Sequence, residues 1–121
     1  MNSKFYVSYE AARLLKEKGY DRECISYYHD NCREVDYSFC GERNSTWEGR
    51  CVSAPTKAEA IDWLEGKNLT INIDWIRFNE QRRWCYGICN NETCDLEGSR
   101  YEYITRLEAE DAAIIKACEL L

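Results

Sequence analysis

A single histidine, His29, stands in a chain with eight cysteines, so the first chemistry to weigh is a thiolate nucleophile with an imidazole base. Cys24, Cys32 and Cys40 lie near it in sequence, and any of the three could supply the thiol. The simpler reading is a surface histidine between Tyr28 and Asp30, with cysteines filling small spaces in a core. Carboxylate pairs such as Asp30 with Glu34 or Glu108 with Asp111 could serve acid–base or metal chemistry. At helix starts they more simply offset the helix dipole. The chain has no glycine-rich phosphate loop, no Gly-x-Ser-x-Gly and no His-Glu-x-x-His. The residues therefore assign no catalytic group and no cofactor, and they weigh against an enzyme.

The cysteines raise two further chemistries. In a secreted protein, eight of them would suggest a four-disulfide scaffold with 105 pairings. This chain has enough helix and strand pattern to build a core without one. For zinc, the candidate cluster is Cys85-x3-Cys89-x4-Cys94. On a strand, Cys85 and Cys89 share a face about 13 Å apart at roughly 3.3 Å per residue. Two sulfurs on one tetrahedral zinc, each about 2.3 Å from the metal, sit only about 4 Å apart. That pair is excluded unless the strand breaks. Cys89 and Cys94 flank Asn-Asn-Glu-Thr, and a hairpin loop there would set them opposite each other as a disulfide or half a metal site. In the N-terminal half, Cys24, Cys32, Cys40 and Cys51 follow one another at spacings of 8, 8 and 11, with no close Cys-x2-Cys pair.

Charge excludes one broad class. With 22 acidic and 16 basic residues the net charge is −6, which repels a phosphate backbone. General nucleic-acid binding is not expected. Arg77, Arg82 and Arg83, interleaved with Trp75, Phe78 and Trp84, form a local exception, read more simply as arginines that keep a hairpin soluble. No run approaches the roughly 20 apolar residues of a membrane span, and the first residues lack the pattern of a signal peptide. The chain is expected to be neither secreted nor membrane-inserted. Three glycosylation sequons, at Asn44, Asn68 and Asn91, are then coincidental.

The elements that must position these residues follow from caps and periodicity. Ser8 caps a helix over about Tyr9 to Lys18, with Ala11, Leu14 and Leu15 inward and Gly19 past its end. Residues 23 to 40 read as one or two short strands, and Gly41 to Ala54 as a polar loop anchored by Trp47 and Cys51. Thr56-Lys-Ala-Glu59 is a capping box opening a second helix whose inner face carries Ala60, Ile61, Trp63 and Leu64. Leu69, Ile71, Ile73 and Trp75 then alternate with polar residues as a strand, and a turn near Asn79 to Gln81 leads into a second strand to Cys89. A third strand is expected at about Arg100 to Ile104. Thr105 caps a last helix with Ala109, Ala112, Ala113, Ala117 and Leu120 as its inner face. The whole is one α+β domain over residues 1–121, an antiparallel β-meander of three or more strands with about three helices packed mainly on one face.

Three segments together carry a family likeness: Tyr6 to Gly19, Ala54 to Leu64, and Glu108 to Leu121. They resemble small uncharacterised proteins encoded by phages and prophages of Bacteroides-type gut bacteria. The shared Pro-Thr-x-x-x-Ala-x-x-Trp-Leu pattern falls on Pro55, Thr56, Ala60, Trp63 and Leu64. The likeness implies a phage origin, a location in the cytoplasm of the bacterial host and this scaffold; it brings no activity. The cysteine-rich stretches, Cys24 to Cys51 and Cys85 to Cys94, depart from it.

With nothing catalytic competing, the expectation is a binding or interaction module acting on a host protein or a small molecule. A zinc-binding domain and a Cys/His-dependent enzyme are the alternatives. Tyr27, Tyr28, Tyr37, Trp47 and Trp84 are the aromatic candidates for recognition, because tyrosine and tryptophan are enriched in binding surfaces. An exposed edge of the meander would also suit a homodimer.

Overall fold

The computed structural model of the chain describes residues 3–29, 32–46 and 51–121, and the side chains of all of these except Ser3, Phe39 and Cys40. Trp47, one of the aromatic candidates, lies outside the described residues, as does Asp30.

Local chemistry starts and stops the first helix. In α1 (Tyr9–Glu17) the Ser8 hydroxyl accepts from the Ala11 amide at 3.3 Å. Past its end Gly19 takes φ +97°, and the amides of Tyr20 and Gly19 donate to the Leu15 and Lys16 carbonyls at 2.9 and 3.1 Å. This closing motif needs a left-handed residue, which glycine supplies without a Cβ penalty. Ala11, Ala12 and Leu15 are buried, and Leu14 packs against them from a half-buried position.

Next come β1 (Cys24–His29) and β2 (Asp36–Glu42), so the segment read as one or two strands contains two. The stretch expected to be a loop holds a short 3-10 turn, Asn44–Thr46, and a third strand, β3 (Cys51–Ser53). The order of this sheet is β2-β1-β3, antiparallel throughout. Three residues are too few to show alternation, and the bonds that make β3 a strand come from β1, which is distant in sequence. On β1 the alternation is clear: Cys24, Ser26 and Tyr28 are buried while Ile25, Tyr27 and His29 face outward.

The second half follows the caps closely. In α2 (Lys57–Glu65) Thr56 and Glu59 form the full reciprocal capping box, and Ala60, Trp63 and Leu64 are buried. A hairpin follows, β4 (Leu69–Phe78) and β5 (Gln81–Asn90), paired residue for residue from Leu69↔Asn90 to Phe78↔Gln81. Its two-residue loop, Asn79 and Glu80, has φ of 49° and 65°, the mirror-image turn whose twist suits a hairpin. The third strand is β6 (Leu96–Gly98), earlier in the chain than expected, and of the expected stretch Tyr103 makes one bridge, to Trp84. Ser99 explains the shift: its hydroxyl accepts the Tyr86 amide at 2.9 Å, a side chain replacing a ladder bond where the strand would have continued.

Thr105 caps α3 (Arg106–Leu120) by accepting from the Glu108 amide at 3.1 Å. The buried face is Ala109, Ala113, Ile114, Ala117 and Cys118. Leu120, expected on that face, is 42% exposed, because the stripe turns toward Ile114 and Cys118. α3 touches α1, α2, β4 and β5, and one core cluster runs from Val7 through Tyr28, Val52 and Leu64 to Ile88 and Ile114. The fold is α+β, with α3 at its centre. Among the described residues no helix is long and apolar enough to cross a membrane.

Candidate functional site

Among the described residues, two arrangements stand out for the chemistry-bearing side chains they bring together. The larger is a cleft of about 730 Å³ between the N-terminal segment, the start of α2 and the first turns of α3. That volume is within the range of small-molecule sites, roughly 300 to 1,000 Å³. Tyr103, Leu107, Ala112 and Ile115 give it apolar walls, and Lys57, Glu108, Asp111 and Ser8 add polar groups. Lys57 is the unusual member, a lysine only 8% exposed. It occupies the first turn of α2, and its ammonium donates to the Lys4 carbonyl. Burial pulls its pKa below the ordinary value, against the favourable pull of the Asp111 and Glu110 carboxylates. Asp111 is itself anchored, accepting the Ser8 amide at 2.8 Å across the cleft floor. Glu108 accepts from the Ile104 amide at 3.4 Å.

The second arrangement lies on the outer face of the β2-β1-β3 sheet. Register sets His29 opposite Cys51 and Tyr27 opposite Asp36. The Cys51 sulfur is 3.8 Å from His29 Nδ1, and His29 Nε2 is 3.3 Å from Asp36 Oδ2. The Tyr27 ring stands edge-on to the imidazole at 5.1 Å between centroids. Asp36 is held below the usual carboxylate range, first by the Tyr37 amide at 2.8 Å and then by His29. Lys16 fixes the strand from beneath, its ammonium donating to the Cys51 carbonyl at 3.3 Å.

The aromatic candidates are dispersed. Tyr28 is a core residue, 4% exposed, its hydroxyl donating to the Val7 carbonyl at 2.6 Å. Tyr27 is half-buried beside His29, and Tyr37 packs edge-on to Tyr6 at 5.9 Å. Trp84 is on the hairpin, 6.2 Å from Trp75, with Arg82 over Trp75 at 4.5 Å and Arg106 over Trp84 at 5.9 Å. The arginines thus cover indole faces that would otherwise be open to water.

The cysteines also fall differently from the sequence expectation. His29 pairs with Cys51, not with Cys24, which is buried, or with Cys32, whose sulfur lies 4.0 Å from the Glu34 carbonyl. The Cys40 side chain is outside the description. Cys89 stands opposite Leu96, and Cys94 sits in the connecting loop with φ +66°. The loop closes one residue later than expected, through the Asn90 amide to the Asp95 carbonyl at 2.9 Å, so Cys89 and Cys94 do not face each other. Among the described residues no group of three or more His, Cys, Asp or Glu side chains converges to hold a metal.

Sequence reasoning missed Lys57, because lysine in the first turn of a helix ordinarily reads as solvated. It missed the Cys51–His29 pairing because 22 residues separate the partners and the strand that joins them is three residues long. Comparison with family models, with curated proteins and with solved structures finds no match.

Proposed function

We propose that this chain is a phage-type accessory protein, acting in the cytoplasm of a bacterial host, that binds a small amphipathic anion in the cleft between α2, α3 and the N-terminal segment. The observation that carries this reading is a buried ammonium at the edge of an apolar cleft. An ammonium has three N–H donors, and Lys57 gives one to the Lys4 carbonyl. Lys57 brings N–H donors for an acidic group on a ligand, and the backbone amides that Asp111 and Glu108 accept from hold those two carboxylates in place beside it. The starts of α2 and α3 both line the cleft and add positive dipole ends. Tyr103, Leu107, Ala112 and Ile115 would take the apolar body. The phage setting rests on the sequence resemblance carried by Pro55, Thr56, Ala60, Trp63 and Leu64.

The test uses 8-anilinonaphthalene-1-sulfonate, an apolar ring system with one sulfonate, added to folded protein under native conditions. Saturable binding is expected, weakened about tenfold in Lys57→Met, equivalent to ~1.4 kcal/mol. Ala112→Trp, which fills the cleft, should abolish it. Binding that is absent, or equal in both variants with unchanged circular dichroism, overturns the reading.

A further inference from the structure

We propose that Cys51, His29 and Asp36 form a nucleophilic thiol site that accepts acyl groups from activated esters. The parts needed for such chemistry are a nucleophile, a base in reach of its proton and a third group that orients the base. Here the sulfur-to-Nδ1 distance is 3.8 Å and the Nε2-to-carboxylate distance is 3.3 Å. Asp36 fixes the tautomer, because a carboxylate accepts only; Nε2 must carry the proton, and the Nδ1 lone pair is turned to the thiol. Asp36 is a positioning residue, held in turn by the Tyr37 amide at 2.8 Å. Tyr27 closes one side of the imidazole, and the anchoring of the Cys51 carbonyl by Lys16 fixes the strand that bears the nucleophile.

Among the described residues the His29 and Asp36 side chains are 55% and 56% exposed, and Cys51 is partly exposed. The Cys51 S–H bond breaks as its proton passes to His29 Nδ1, and the sulfur forms a bond to the acyl carbon. The ester C–O bond breaks, and the leaving alkoxide takes that proton from His29. Water then gives a proton to His29 while its oxygen attacks the thioester carbon. Cleavage of the C–S bond frees the acid, and the thiolate recovers its proton from the imidazole. No oxidant or metal is needed for the balance.

The experiment is acetylation by p-nitrophenyl acetate at about pH 7, following p-nitrophenol release and mapping the acetyl group by peptide mass. Cys94, exposed and outside the cluster, is the internal reference thiol. Cys51 should acetylate at least about tenfold faster than Cys94, a conservative threshold against the roughly hundredfold or more that a positioned base supplies. His29→Ala should bring Cys51 down to the Cys94 rate, and raising the pH to about 9.5, where ordinary thiols ionise, should close the gap. Asp36→Ala should slow Cys51, and Asp36→Asn, which keeps an acceptor for Nε2, should restore most of the rate. A merely structural role would move neither the pH profile nor the Asn rescue. Equal rates at Cys51 and Cys94, or a Cys51 rate unchanged by His29→Ala in protein of unchanged circular dichroism, overturns the proposal. None of the cleft residues belongs to this cluster, so Cys51→Ala should leave sulfonate binding intact, and the two readings fail independently.

Discussion

Tyr28 and Tyr27 are neighbours of the same type with opposite fates. The Tyr28 hydroxyl is buried and donates to the Val7 carbonyl, so Tyr28→Phe leaves that acceptor unpaired. The expected cost is about 1 to 3 kcal/mol, read as a lower urea midpoint. Tyr27→Phe, on the outer face, should change stability by less than about 0.5 kcal/mol. The sequence marks both tyrosines alike as recognition candidates on a short strand; which of them turns inward is set by the strands and helices packed on β1. Asn44 gives the same lesson. Its sequon invites a glycan, whereas its amide donates to the Tyr20 carbonyl at 2.7 Å and accepts the Ser53 amide at 2.9 Å. Asn44 is 8% exposed, which leaves no room for a sugar.

At the scale of elements, the caps were legible and the short strands were not. Ser8, Thr56 and Thr105 each accept the amide three residues on, a local geometry written in adjacent residues. Thr56→Ala should cost about 1 kcal/mol by removing one half of the capping box, measured by thermal or urea unfolding. The strands β3 and β6 have three residues each and depend on partners elsewhere in the chain. The hairpin turn falls where the sequence predicts it, yet its chemistry is imperfect. Glu80 holds φ at 65°, where a side chain is disfavoured. Glu80→Gly should therefore raise stability by about 1 kcal/mol, with an unchanged sheet spectrum, because mirror-image turns favour Asn-Gly.

For the molecule as a whole, burial of ionisable groups predicts a weakness in alkali. Burial pushes the Cys118 thiol from the usual 9.0 up to about 12, and Tyr28 from 10.0 up to about 12. Both keep their protons in the folded state after the unfolded chain has lost them. Stability from these groups is fully present below pH 9.0 and is lost as pH rises toward about 12, at about 1.4 kcal/mol per pH unit for each group inside its window. Lys57 acts in the opposite sense: its pKa is lowered, so the penalty of holding it charged is relieved as pH climbs toward 10.5. Cys24 and Tyr20 are also raised by burial and side with the larger group, so the net trend is downward. Urea unfolding at about pH 7, 9 and 11 should show a falling midpoint. Cys118→Ala should start lower and fall less steeply.

The central place of α3 also sets the order in which the molecule can assemble. The β4–β5 hairpin closes over a two-residue loop, an event of microseconds, whereas the Ser8–Asp111 bond joins residues 103 apart. Bringing such distant segments together requires the loop-closure entropy before any contact rewards it. The hairpin can therefore form and dissolve many times before α3 docks on α1 and α2, and docking of α3 is the event that commits the chain to its native state. Substitutions on the α1–α3 contact should slow refolding, and those at the hairpin tip, which forms before that step, should also act on the rate of folding and leave unfolding nearly unchanged.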